Sequence, residues 1–378
     1  MSETSAAKGM NYSIGHPEPM EIILKHWPQF IPIAAAVLLG WSLSTSVAGG
    51  MVWLAFAFMM LAVIASVHHA ELIAHRIGEP FGTLVLALAV TVIETALILS
   101  VMMTDGAKSA ALPRDTIYAA VMIICNGVVG LSLLLGGLHH KEQMFRIEGT
   151  GSGFAALVTL SILVMIMPLY TISSPEGTYT DPQLIFVAVS SLALWLVFVF
   201  IQTIRHRDYF LPASREEDES VHAAPPSTRQ AWLSFVFMLI SLVCVVGFAK
   251  LLSPAIQSLV SIYQAPQATV GIVIAMIVLL PETWAALRAA KANRLQTSMN
   301  LAIGSALASI GLTIPLVVMF CVAFHHELML GLEMKDVVLL CLTFLVGSIT
   351  LASGRTNVMQ GAIHLVLFGA FLFLTLVP

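Results

Sequence analysis

Between Phe81 and Thr104 the chain reads FGTLVLALAVTVIETALILSVMMT, twenty-four residues with one formal charge, Glu94, near the middle. A helix needs about 20 apolar residues to cross the hydrocarbon core of a bilayer, so this run is long enough to span it. A carboxylate at the centre of such a span costs ~2.5–3.5 kcal/mol on insertion scales, and a charge kept at that cost is a candidate for function. The arrangement recurs 188 residues later, where Ala268 to Leu287 carries Glu282 as its one charge, directly after Pro281. The two carboxylates are read as halves of a single cation site.

Composition supports the membrane reading. Of the 378 residues, 58% are hydrophobic and 10% charged, against about 25% charged in ordinary soluble domains. That much apolar surface has no hiding place in a water-soluble fold. The net charge of −4 gives no basis for a nucleic-acid partner, and neither charge nor patterning sets an oligomeric state. Cys125, Cys244, Cys321 and Cys341 all fall inside apolar runs and read as small buried hydrophobes, not as a disulfide framework. Residues 1–28 contain Pro17, Pro19 and Pro28 and lack the basic-then-apolar-then-small pattern of a cleaved leader.

The expected fold is an all-α polytopic membrane protein. Eleven transmembrane helices are predicted at 29–47, 50–68, 81–104, 115–138, 153–172, 184–204, 231–252, 268–290, 298–324, 335–352 and 360–377. The run 298–324 contains Pro315 and is expected to kink or tilt. With residues 1–28 as a cytoplasmic segment, thirteen of the seventeen Lys and Arg fall on the cytoplasmic side. The positive-inside bias therefore places the N-terminus in the cytoplasm and the C-terminus outside. The polar stretch 205–230 is a cytoplasmic acidic loop, and its Glu216-Glu217-Asp218-Glu219 run reads as solvated. It divides a first five-helix repeat, 50–204, from a second, 231–378, with 29–47 standing apart as an N-terminal helix. Five is odd, so related halves must be inverted, and inverted repeats hold their sites at the midplane where the halves meet. Glu94 and Glu282 each lie in the second helix of a half.

The polar neighbours of the pair suit a hard cation. Thr91 lies one helical turn before Glu94, and Thr95 and Thr283 follow the two acids. Ser305, Ser309 and Thr313 recur at intervals of four, a hydroxyl stripe on one helix face. Asn126 and Ser132 add an amide and a hydroxyl in the fourth span. Oxygen ligands of this kind select Na⁺, K⁺ or Ca²⁺ over soft metals, although small-residue neighbours such as Gly304 also allow the stripe to act in helix–helix hydrogen bonding. Pro281 leaves the carbonyl of Ile277 without its helical donor, which either opens a ligand or only kinks the helix. Desolvation disfavours an empty, ionised pair. Protons and metal ions compete to neutralise it, and if only neutralised forms change access, cations move one way and protons the other. The expected function is secondary antiport of cytoplasmic cations against external protons, with inorganic cations, protons and the lipid bilayer as partners. No enzyme activity and no cofactor are expected; no nucleotide-binding G-x-x-x-x-G-K-[ST] run is present.

Five stretches carry a resemblance: HHAELIAHRIGEPFGTLVLALAVTVIETALI (68–98), PRDTIYAAVMIICNGVVGLSLLLGG (113–137), LLPETWAAL (279–287), NLAIGSALASIGLTIP (300–315) and SGRTNVMQGAIHL (353–365). They resemble the two α-repeats of the calcium/cation antiporter superfamily, and more closely its ChaA-type bacterial sodium-potassium(calcium)/proton antiporters. The resemblance implies that Glu94 and Glu282 are the carboxylates shared by cation and protons, and that the membrane is the bacterial inner membrane. Calcium/proton exchangers usually read G-N-x-x-E at each acid. Here Val90-Thr91 and Val278-Leu279 occupy the G-N places, and Ala308 stands where a Gln often follows G-S-A-L. Fewer amide oxygens favour the branch that tolerates monovalent ions.

His69, Glu71 and His75, with Glu79 beyond them, form a polar connector before the third span. Their expected role is proton access or pH sensing, since histidine titrates in the relevant range, and His364 is placed to join them. Two other function classes are weighed. A cation channel or uniporter would pass ions without proton coupling, but channels tend to use rings or mouth clusters of charge. An intramembrane metalloenzyme on His69, Glu71 and His75 needs a zinc-ligand spacing, and two histidines six apart are not the i, i+4 of a helical pair.

Overall fold

The computed structural model describes residues 19–45, 49–77, 81–211, 226–262 and 266–377. Within them run eleven long helices: α1 (Pro19–Ser44), α2 (Gly50–Ile77), α3 (Phe81–Asp105), α4 (Leu112–His140), α5 (Ile147–Leu169), α6 (Asp181–Arg205), α7 (Thr228–Ile262), α8 (Ala268–Lys291), α9 (Leu295–Phe324), α10 (Met334–Ala352) and α11 (Val358–Leu376). A lipid core offers backbone amides no water, so each span satisfies its own N–H and C=O groups as a helix. Where the chain re-enters after a loop, side chains cap the helix: at α11 the Asn357 carboxamide accepts from Met359 N at 3.0 Å while Asn357 N donates to Gln360 Oε1 at 3.0 Å.

The packing follows a two-fold pattern. α6 lies against α9 as α11 lies against α4, α3 crosses α9 as α4 crosses α8, and α2 pairs with α7. α4 and α9 are buried over most of their length, whereas α6 and α11 face outward over most of theirs. Glycine allows the close approaches. A Cβ on Gly361 of α11 would stand 2.5 Å from Leu134 N on α4, and one on Gly311 of α9 would stand 2.6 Å from Trp195 Cβ on α6. These are the small-residue contacts by which membrane helices gain packing energy without a hydrophobic driving force between them.

The loops report relative sidedness. A two-residue antiparallel pair, β1 (Gln143–Met144) with β2 (Arg355–Thr356), ties the α4–α5 loop to the α10–α11 loop. Gln143 Nε2 also donates to Asn293 Oδ1 at 3.0 Å in the α8–α9 turn, and Arg76 Nη2 donates to Thr228 Oγ1 at 3.0 Å. All of these segments belong to the side expected to be cytoplasmic. On the opposite side Thr178 bridges Met329, and Arg114 Nη1 donates to Gly331 O at 2.7 Å. Among the described residues these contacts sort eight of the ten connections, all but α1–α2 and α7–α8, into two sets that alternate along the chain.

Several boundaries differ from expectation. α1 begins at Pro19, not at 29, so part of the N-terminal segment is helical; Pro28 and Pro32 lie inside it. α2 continues to Ile77, so the His-rich connector is a helix end. Its sequence HAELIAHRI keeps good helix formers beyond the last wholly apolar residue. α7 extends to Ile262 through Pro254. α8 and α9 run unbroken through Pro281 and Pro315. Cys125, Cys244 and Cys321 are buried, but Cys341 is exposed on the outer face of α10, where lipid solvates a thiol as well as a protein core does. The acidic run 216–219 lies outside the described residues.

Candidate cation site

Glu94 is held by its own helix and by α9. On α3 its neighbours Val90, Thr91, Ile93, Thr95, Leu97 and Ile98 are all buried, and Glu94 itself is 1% exposed. From α9 the Thr313 hydroxyl donates to Glu94 Oε2 at 3.2 Å, and the Ser309 hydroxyl also hydrogen-bonds this carboxyl group. Ser309 and Thr313 are one turn apart and both buried, so the sequence stripe does face an acid. Its first member does not share that contact: Ser305 is half-buried beside Gly304, where an added Cβ would meet nothing within 4 Å.

Glu282 on α8 is 8% exposed and lies within electrostatic reach of Glu94 and of Glu71. Its Oε2 atom has no hydrogen-bond partner among the described residues, and neither has Thr95 Oγ1. A buried carboxylate oxygen left unpaired is costly unless a proton or a metal ion takes it. Thr283 offers no help, since its hydroxyl donates back to Leu279 O at 2.7 Å. One acid is therefore furnished with hydroxyl donors and the other keeps an unpaired oxygen.

Asn126 is fully buried, but it faces elsewhere. Its Nδ2 donates to Thr343 Oγ1 at 2.9 Å, and its Oδ1 pairs with His364 Nδ1 at 3.2 Å. Ser132 accepts from Ser298 Oγ at 3.0 Å, a tie between α4 and α9.

The histidines separate. His69 is buried, with Nε2 on Pro28 O at 2.8 Å and its ring stacked on Phe237, whereas Glu71 and His75 are exposed. Residues six apart on a helix point to different sides, and among the described residues no group of three His, Cys, Asp or Glu side chains could hold a metal ion. His364, expected beside them, instead sits between Asn126 and Thr350. Of the connector residues Glu71 retains a link to the site, through the charges of Arg288 and Glu282. Glu79 lies outside the described residues. Thr343 and Thr350 are not among the expected site residues, although their spacing of seven in a mostly apolar run puts both on one face of α10.

The sodium/calcium exchanger protein family profile matches residues 47–204 and 233–377, on either side of the central polar stretch. The protein y4hA of Sinorhizobium fredii is 44% identical over 321 residues, covering 84% of this chain and 86% of that protein. The sodium-potassium/proton antiporter ChaA of Escherichia coli is 34% identical over 346 residues, 90% of this chain and 93% of its own length. Among solved structures, native YfkE superposes with a TM-score of 0.71 at 15% identity, covering 93% of this chain and 100% of that one. The H⁺/Ca²⁺ exchanger CAX gives 0.69 at 14% identity, over 92% of this chain and 88% of that one. At such identities the two structural matches speak for the fold.

Proposed function

This chain belongs to the sodium/calcium exchanger protein family, a family of multi-pass membrane antiporters and not of enzymes, and from that premise we propose that it exchanges cytoplasmic Na⁺, K⁺ or Ca²⁺ for external protons at a site shared by Glu94 and Glu282. The observation that carries the reading is the unpaired, buried Oε2 of Glu282 within electrostatic reach of a second buried carboxyl group. Two such groups are unfavourable when ionised and empty. Protons relieve that cost, a metal ion relieves it equally, and each excludes the other from the same oxygens. Coupled counter-movement follows without any chemical energy source.

The oxygen-rich surroundings, Ser309 and Thr313 on one acid and Thr91 and Thr95 beside it, suit hard cations. Thr91 and Leu279 hold the places where calcium exchangers carry amides, and the relative ChaA is named a sodium-potassium/proton antiporter; both favour a site that accepts monovalent ions. Lysine and arginine bias favours a cytoplasmic N-terminus and an outside C-terminus, and the likeness to the Escherichia coli antiporter ChaA supports a bacterial inner membrane. Glu71, exposed at the cytoplasmic end of α2 and linked by charge to Arg288 and Glu282, is the connector residue placed to pass cytoplasmic cations to the site and protons from it to the cytoplasm. The test is dissipation of a pH gradient by reconstituted protein on adding Na⁺, K⁺ and Ca²⁺ separately. Wild-type protein responds to at least one ion and Glu94→Gln responds to none; equal responses in the two would refute the shared site.

A further inference from the structure

α1 packs on both α2 and α7, which also pair with each other. Two prolines one turn apart explain one of its ties. Pro32 has no N–H, so the carbonyl of Pro28, four residues before it, lacks its helical donor. His69 of α2 supplies the donor instead, with Nε2 2.8 Å from Pro28 O. Further along α1, Cys244 Sγ of α7 approaches Pro32 O at 4.0 Å. Gly247 of α7 then makes room for Leu39, whose Cδ2 would stand 2.5 Å from a Cβ on that glycine.

A carbonyl only accepts, so Nε2 of His69 carries the ring's proton and Nδ1 keeps a bare lone pair. Among the described residues that Nδ1 has no hydrogen-bond partner, although His69 is 2% exposed and its ring is stacked on Phe237 of α7 with centroids 5.4 Å apart. Ser66, one turn before His69, and Ser241, one turn after Phe237, are also buried with unpartnered hydroxyls. A second proton on the ring would bring a full charge into this joint, and the surrounding helices offer nothing to balance it. α7 has no charged residue between Arg229 and Lys250, α3 has none before Glu94, and α1 has none after His26. On α2 the group whose charge acts on His69 is another histidine, His68, with ring centroids 5.8 Å apart. An unpaired buried charge is strongly destabilising, so a protonated ring leaves the joint.

The other side of α2 faces the transport site. Glu71 is two residues beyond His69, about 200° around the helix, and lies within electrostatic reach of Arg288 and Glu282 on α8. The joint with α1 and α7 therefore fixes the rotation and depth at which α2 presents Glu71. We propose that His69 is a positioning residue that makes exchange sensitive to cytoplasmic pH: the neutral ring fastens α2 to Pro28 of α1, and protonation at Nδ1 frees α2 and withdraws Glu71 from the site. The inference rests on Glu94 and Glu282 forming that site, with Glu71 on its cytoplasmic side. Acidification of the cytoplasm through the histidine range, between about pH 8 and pH 5, slows exchange, and the effect falls on its rate and not on cation affinity.

The test uses everted membrane vesicles, whose cytoplasmic face meets the bath. It follows exchange of labelled Na⁺, Rb⁺ (standing for K⁺) or Ca²⁺ against the same ion at equal, saturating concentration on both sides. Such exchange needs no net proton movement, and saturating cation outcompetes protons at Glu94 and Glu282. With lumen pH fixed, the wild-type rate falls several-fold as bath pH goes from about 8 to about 6, across the histidine range. His69→Gln keeps an N–H donor for Pro28 O but takes up no proton, and its rate stays level over the same interval. His68→Gln keeps the wild-type fall. Pro32→Ala gives Pro28 O a helical donor, loosens its hold on the ring and moves the fall to higher pH; it changes neither the ring nor the acids, and it decides the matter if His69→Gln fails to fold. A level wild-type profile, a wild-type fall in His69→Gln, a level profile in His68→Gln or an unmoved fall in Pro32→Ala overturns the proposal. Failure of the transport site itself reads out separately, as wild-type exchange in Glu94→Gln.

Discussion

Replacing Glu282 by Gln removes one charge from the site and keeps the side chain's shape. A cation about 4 Å from a carboxylate gains about 4 kcal/mol at an effective dielectric constant of about 20. Losing that attraction weakens binding by about three powers of ten. Suppose cation is present at about 100 times its dissociation constant for the wild-type protein. It then stabilises the fold by about 2.7 kcal/mol, or about 5 °C in melting temperature at ~2 °C per kcal/mol for a chain of this size. For Glu282→Gln the same concentration is about one-tenth of the dissociation constant, and the stabilisation falls below about 0.1 kcal/mol. The assay is thermal unfolding of purified protein in detergent, with and without Na⁺, K⁺ or Ca²⁺. A melting temperature that rises as much in Glu282→Gln as in wild type would refute the reasoning, because the unpaired Oε2 would then contribute nothing to cation binding.

Thr313→Val keeps the volume and removes the hydroxyl that donates to Glu94 at 3.2 Å; at ~1.5 kcal/mol, the low end for a hydrogen bond to a charged group, the half-saturating cation concentration in vesicle exchange rises about tenfold. Gly311→Ala places a methyl group 2.6 Å from Trp195 Cβ and destabilises by about 1–3 kcal/mol, whereas Gly304→Ala meets nothing within 4 Å and gains up to about 1 kcal/mol of helix propensity; melting temperatures that move in opposite directions check both. Glu176 and Asp208 are both exposed and lie on opposite faces of the expected topology. In intact cells a membrane-impermeant thiol reagent labels Glu176→Cys and leaves Asp208→Cys unlabelled; the reverse pattern would invert the assigned orientation.

The spans were legible because the bilayer imposes a length on each of them. Their central stretches agree with the structure from α1 to α11, and the errors fall at ends such as His69 to Ile77, where polar residues continue a helix into the interface. The two acids stood out because each is the lone charge in a long apolar run. The partners of those acids were less legible. Ser305, Ser309 and Thr313 share a stripe in the sequence, yet only Ser309 and Thr313 reach Glu94, since depth along the helix decides what stands opposite. His69, Glu71 and His75 looked like a group because they are close in sequence, but helical rotation buries the first and exposes the other two.

The sequence by itself determined that this chain crosses a membrane many times, and that Glu94 and Glu282 are its two central carboxyl groups. Tertiary structure alone decided which hydroxyls face Glu94, from residues as far as 219 positions away, and that Asn126 turns to His364 instead of to an acid. The physical reason is local in one case and distant in the other. Apolar length and isolated charge are written residue by residue, because the bilayer reads them that way. The direction of a side chain inside the bundle depends on helix crossings and on the π turn at Ile123–Val128, which adds one residue to the helical repeat, and no periodicity in the sequence announces where that extra residue falls.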